Sequence, residues 1–300
     1  MLVFWIMAED KILHSSFIAN IVLNAFLSCT AIALNSITIQ ALIKTTFPTQ
    51  PSKTLLLSLA VSDLCVGILI HPMFIALIII RVQENSENSS TFNSMYTAFV
   101  TAVNIIGSTS VFGVMAISAD RFLAIHLHLR YQELVTRKRA LIVVSLMWVF
   151  SVFSSLLRLT IQQHVYYSFF VVIAISGFLI TTWFHYKIYK AVQYHTNQIQ
   201  AVHLQHTAQN ANIDSPRVKN FAIATCFIYL AFLVCYFPRI CTYVVFAILG
   251  TTTTTTGLRL YSMTLAFLSS TLNPLIYCWK MRHIRQAVVE MLRKIWQGFK

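Results

Sequence analysis

The sequence predicts an all-α membrane protein, a seven-transmembrane helix bundle with a short amphipathic eighth helix behind it. Three observations predict it. Hydrophobic residues make up 57% of the 300 and charged residues only 10%, where a soluble domain carries about a quarter charged. The apolar residues gather into seven stretches, each long enough for a helix to cross the bilayer. The lysines and arginines crowd onto alternate connections between those stretches.

Taken in order, the stretches are 17–42, 53–80, 94–127, 140–157, 165–192, 218–249 and 258–278, followed by a basic amphipathic tail, 280–300. The chain therefore divides into an N-terminal segment (1–16), a membrane domain (17–279) and a tail (280–300). The segment Met1 to Asp10 is too short and too acidic at its end for a cleavable signal peptide, so the first helix is expected to act as its own signal. The connection 83–92 is polar and holds the sequon Asn88-Ser89-Ser90, a glycosylation acceptor if it lies outside. Residues 193–216, rich in Gln, His and Asn, are expected to form a long inner loop in which His195, His203 and His206 are solvated rather than metal ligands. The run Thr251 to Thr256 reads as a tolerated loop expansion.

An odd number of spans puts the two ends of the chain on opposite sides. Seventeen lysines and arginines then fall on the side of the tail and four on the other, with Arg239 left inside a helix. The positive-inside rule makes the tail side cytoplasmic and the N-terminus extracellular, in a multi-pass plasma-membrane protein. The net charge of +13 is thus a topology signal that also meets anionic lipid, not a nucleic-acid surface. The six cysteines fall mostly within apolar stretches, which argues against a disulfide scaffold. In the tail, Trp279 and Trp296 are expected interfacial anchors, and the absence of Ser and Thr removes phosphorylation there.

The stretches also carry residues costly to place in a membrane. Asp63 lies near mid-span and must be neutralised by a proton, a cation or hydrogen-bond donors. Asp120 and Arg121 adjoin at a helix end, followed by the basic Arg137-Lys138-Arg139. Pro238 and Pro274 each remove a helical hydrogen bond and kink their helices. No internal repeat and few intramembrane charges appear, which disfavours a transporter or channel. No catalytic or metal-ligand spacing stands out, and the chain is not expected to be an enzyme.

On these residues the sequence resembles the rhodopsin-like (class A) G-protein-coupled receptors. The strongest match is Ala119-Asp120-Arg121-Phe122-Leu123-Ala124-Ile125-His126-Leu127 with Leu129-Arg130-Tyr131, similar to the melanocortin, cannabinoid and adenosine receptor branch. Asn35, Leu59-Ala60-Val61-Ser62-Asp63, Trp148, Cys235-Tyr236-Phe237-Pro238 and Asn273-Pro274-Leu275-Ile276-Tyr277 follow in the family's order. The resemblance implies a switch for heterotrimeric G proteins built from Asp120, Arg121, Phe122, Tyr236, Pro238, Asn273, Pro274 and Tyr277. It also implies a sodium ion at Asp63, with Asn35, Ser110, Ser269 and Asn273 around it and no other cofactor. A protonated Asp63 bonded to Asn35 and Asn273 is the alternative.

The chain departs from the family at several positions. Tyr96 stands where a disulfide cysteine is usual, Gly177 where a fifth-helix proline is usual, His185 for a tyrosine and Tyr236 for a tryptophan. A non-signalling scaffold or decoy therefore stays open beside the receptor. The seventh stretch has no lysine for retinal, Val103 replaces the aspartate that would clamp an amine, and Met73, Tyr96 and Val100 replace the acids of peptide-binding melanocortin relatives. Arg239 directly follows the kink proline; if it faces a cavity it would pair with an anion, and otherwise it snorkels outward. The expected pocket is Val103, Tyr236, Arg239, Tyr243 and Phe267, for an extracellular small molecule, lipid or peptide, with an acidic lipid or small organic acid fitting the charge.

Overall fold

The computed structural model describes residues 2–45, 49–84, 90–127, 130–205, 215–250 and 252–298. It is an up-and-down bundle of helices: α1 (Leu2–Lys44), α2 (Gln50–Cys65), α3 (His71–Glu84), α4 (Ser90–Leu127), α5 (Tyr131–Leu134), α6 (Arg137–Leu157), α7 (Gln163–Gln205), α8 (Ser215–Leu249), α9 (Thr253–Lys280) and α10 (Arg282–Gly298). A π-helical turn, Val66–Ile70, joins α2 to α3 into one span. No strand occurs among the described residues. Helices are the expected answer, because a lone apolar helix satisfies its own backbone in lipid.

Central in the bundle, α4 touches α2, α3, α6, α7 and α8, while α9 is wedged between α1 and α8. The core near the Asp120 end joins Leu56, Leu59, Val114, Ile117, Phe221 and Tyr277 across these helices. Around it an apolar belt faces outward, with Phe26, Leu146, Val149, Leu179, Val234 and Phe237 all largely exposed. Such a belt belongs in hydrocarbon. This is a multi-pass membrane protein.

Small residues set the close approaches. A Cβ on Gly67 would lie 2.8 Å from Ile32 Cγ1, so only glycine lets the π turn lie against α1. The Ser28 hydroxyl donates to the Gly67 carbonyl at 2.8 Å from the same helix. Trp148 Nε1 donates to Ser58 Oγ at 3.2 Å, tying α6 to α2.

Three expectations change. The expected loop 193–216 is helical as far as Gln205, because residues 193–205 include neither Pro nor Gly to stop α7; His206 and the side chains of His195 and His203 lie outside the described residues. The threonine run is not a loop expansion: Thr252 caps α9, accepting from the Thr255 amide while the Thr255 hydroxyl accepts from the Thr252 amide. Among the described residues six helices, rather than the seven stretches expected, are by themselves long and apolar enough to span. The seventh, α9, spends its interior on Ser262, Thr264, Ser269, Ser270, Thr271 and Asn273, all buried against neighbouring helices. Asn88 lies outside the described residues.

Beyond the bundle, α10 buries Ile284 and Met291 against it and exposes Arg282, Arg285 and Arg293. Lys280 Nζ sits 3.6 Å over the exposed Trp279 ring. The side chain of Trp296 is not among those described.

Candidate functional site

At one end of the bundle Asp120 and Arg121 form a closed, buried pair, each 4% exposed. Arg121 donates to Asp120 Oδ2 through Nε at 3.1 Å and also through Nη2. Ser52 of α2 donates to the same carboxylate oxygen at 2.7 Å, and Tyr131 donates to Oδ1 at 2.6 Å. The carboxylate is fully satisfied, as a buried charge must be. Burial, and then the Asp120 charge, push the Tyr131 phenol above its ordinary value, so it stays a proton donor. The guanidinium carbon lies 4.1 Å from the centre of the Phe221 ring of α8. A ring, rather than a charge, thus connects Arg121 to the sixth span.

Phe122 points the other way, towards α7. Its ring stacks on Phe184 at 5.0 Å and on His126 at 5.4 Å. Tyr277 is wholly buried in the core beside this pair, and its hydroxyl has no partner.

In mid-bundle, Asp63 Oδ2 accepts from Asn273 Nδ2 at 2.8 Å. Asn35 Nδ2 donates to the Ser270 carbonyl at 2.9 Å, the very group that Pro274 leaves without its helical donor. Asp63 Oδ1, Asn35 Oδ1 and Asn273 Oδ1 are all buried and unpartnered. Three orphaned acceptors, one of them a carboxylate, suit a hard cation with oxygen ligands. Ser110 lies 2.9 Å from Ser62 Oγ and 3.1 Å from the Ile106 carbonyl, and Ser269 donates to the Ala266 carbonyl at 2.7 Å. Both serines use their protons locally.

The far end holds two adjoining chambers. The outer, about 380 Å³, is lined by Arg81, Arg239, Arg259, Tyr96 and Thr242 among apolar residues. The inner, about 140 Å³, lies between α4, α7, α8 and α9. All five residues expected of the pocket, Val103, Tyr236, Arg239, Tyr243 and Phe267, line the inner chamber. Arg239 does face the cavity: Nη2 donates to the Tyr243 hydroxyl at 3.0 Å and the guanidinium stacks 4.5 Å over that ring. No aspartate or glutamate occurs among the described lining residues of either chamber.

Residues 34–166 match the family model described as 7 transmembrane receptor (rhodopsin family). Over that part the chain is similar to the rhodopsin-like receptors. It is similar to the adenosine receptor A2b of Gallus gallus, 34% identical over 125 residues, which is 42% of this chain and 32% of that receptor. It is 29% identical to the 5-hydroxytryptamine receptor 1F of Cavia porcellus over 219 residues, covering 65% of this chain and 57% of that one. With the histamine H2 receptor of Canis lupus familiaris it shares 23% identity over 261 residues, covering 79% and 69%. The match spans a third or less of the length of the adenosine receptors.

Each departure from the family's usual residues has a local account. Tyr96, in place of a cysteine, stacks on Phe92 and accepts from Arg259 Nη2 at 3.4 Å, which joins α4 to α9 without a covalent bond. All six cysteines are free. Gly177 leaves room for Met115, whose Cε would lie 2.5 Å from a Cβ there. His185 Nε2 meets Ser118 Oγ at 3.0 Å and its ring stacks on Tyr229 at 4.9 Å. Tyr236 stacks on Phe232 at 5.1 Å, at the floor of the inner chamber. Sequence reasoning did not single out Ser52, Phe221, Asn104, Arg81 or Arg259 as site residues. Asn104, a polar residue one position after Val103 in an apolar span, was the most visible of them.

Proposed function

We propose that the chain is a plasma-membrane receptor, N-terminus outside, that binds a small anion in the Arg239 chambers and activates heterotrimeric G proteins from the Arg121 end. It carries out no chemistry of its own in this reading. One observation carries it: a single helix, α8, with Pro238 inside it, presents Phe221 to Arg121 at one end and Tyr236, Arg239 and Tyr243 to the cavity at the other. Ligand pulling on Arg239 would turn α8 about Pro238, withdraw Phe221 and free Arg121 to receive a G protein. A ligand must favour the open state to move that equilibrium.

Sodium in this scheme sits on Asp63, Asn35 and Asn273, with Ser110 and Ser269 beside it, and favours the resting state. The absence of carboxylates among the described lining residues disfavours an amine, so the ligands named by the amine-receptor relatives do not carry over. The basic face of α10 would meet anionic lipid of the inner leaflet, and Asn88 would be glycosylated outside. No nucleic-acid partner is expected.

Nucleotide exchange on purified G proteins of each class, reconstituted with the chain, tests the reading. Exchange is expected above the protein-free rate and is expected to rise further in Phe221→Ala. If neither form stimulates any class, the scaffold or decoy reading stands instead.

A further inference from the structure

We infer that the two chambers hold a single molecule, a single-tailed amphiphile with its anionic headgroup in the outer chamber and a short apolar tail in the inner one. This deepens the anion assignment above and rests on that end of the bundle being a ligand site. The chambers share a neck, since Val103, Asn104, Arg239, Tyr243 and Met263 line both. Above the neck are Arg81 and Arg259, with no carboxylate among the described lining residues. Below it the walls are Ile70, Val111, Phe112, Met115, Val171 and Phe178, without a charge beyond Arg239 itself.

The neck has its own chemistry. Asn104 Nδ2 is buried and has no hydrogen-bond partner. A buried amide left without an acceptor is costly, and because Asn104 lines both chambers an occupant's oxygen could supply one once the side chain turns. Arg239 adds its guanidinium at the same level, a fork suited to phosphate or carboxylate oxygens. An oxygen at the junction of head and tail, such as a phosphoester or acyl oxygen, would meet both. An inorganic anion would leave the inner chamber unfilled, and an uncharged lipid would leave Arg239 without a counter-charge.

Gly107 gives a direct handle on the tail. A Cβ there would meet only the Tyr236 hydroxyl, at 3.9 Å, so a larger side chain enters the inner chamber without displacing its neighbours. The experiment uses the full chain in nanodiscs of neutral lipid without G protein, and measures binding of butyl, hexyl, octyl and decyl phosphate, the matching alcohols and inorganic phosphate. Affinity is expected to rise about fourfold per added methylene until the chamber is full, then stop. Arg239→Gln should weaken every phosphate about tenfold or more, with Arg239→Lys recovering part. Asn104→Leu should also weaken every phosphate, and Gly107→Val should weaken octyl and decyl phosphate but spare butyl phosphate. Each variant's ligand-free melting temperature reports its folding.

A diacyl anionic lipid doped into the discs is expected not to compete, because the inner chamber admits one tail. Alcohols binding as tightly as phosphates, a tail-length profile unchanged by Gly107→Val, or competition by the diacyl lipid would each overturn the proposal. Binding without any G-protein activation would sink the receptor reading and leave this one. Signalling without affinity for alkyl phosphates would do the reverse.

Discussion

Around Asp120 two neighbours, Tyr131 and Phe221, hold Arg121 in different ways, and their removal should not have equal effects. Tyr131→Phe strips one donor from a buried carboxylate, at a cost of about 1–3 kcal/mol to the closed state. Phe221→Ala removes a ring over the guanidinium, worth about 0.5–2 kcal/mol. Basal nucleotide exchange should rise in both, more in Tyr131→Phe, while Phe122→Ala, on the opposite face towards α7, should lower surface expression instead. Because burial and the Asp120 charge raise the Tyr131 phenol, the neutral donor persists as pH rises through the ordinary phenol value. Basal exchange should therefore stay flat from neutral pH to mild alkalinity; a rise there would contradict the assignment.

At the scale of the helix, the informative positions are those where a backbone group has been freed or a backbone brought close. Pro274 frees the Ser270 carbonyl, and Asn35 from α1 takes it. Asn35→Ala leaves a buried acceptor bare, with an expected loss of about 1–3 kcal/mol in detergent melting. Gly67→Ala drives a Cβ into Ile32, whose backbone nitrogen is also only 3.1 Å away, and should cost a similar amount through overpacking. Thr252→Ala removes the α9 cap and should cost about 1 kcal/mol. That last effect would not follow from a loop. The T-x-x-T box was hidden because threonine at its fourth position replaces the Glu or Gln that signals a capping box, and repetition looked like low complexity. The length of α7 was hidden similarly: its end is polar enough for a loop, but nothing in it stops a helix.

For the molecule as a whole, the spans, their order and the chemistry-bearing residues on them could be read from the chain. Membrane helices announce themselves by composition, and Asp63, Asp120, Arg121 and Arg239 stand out because charge is rare there. What could not be read is which side chains from different spans meet. Ser52, Tyr131 and Phe221 lie on α2, α5 and α8 and converge on one ion pair only after the bundle closes. Asn104 was passed over because a lone polar residue in a span says nothing of whether its partner is protein or ligand. Arg81 and Arg259 were read as topology charges, since the cavity they share with Arg239 is a property of three helices together.

The polar interior of α9 also bears on how the chain enters the membrane. A ribosome delivers the spans one at a time, and the insertion machinery weighs each for its affinity to lipid. Six would pass that test alone; α9, with Asn273 and a run of hydroxyls, would not. It packs between α1 and α8, and Thr264 donates to Asn20 Oδ1 of α1 at 2.8 Å. Integration of the last span therefore waits on earlier ones that have already lodged. In a glycosylation-mapping assay α9 alone should slip through the translocon, and the same segment behind the first six spans should stay.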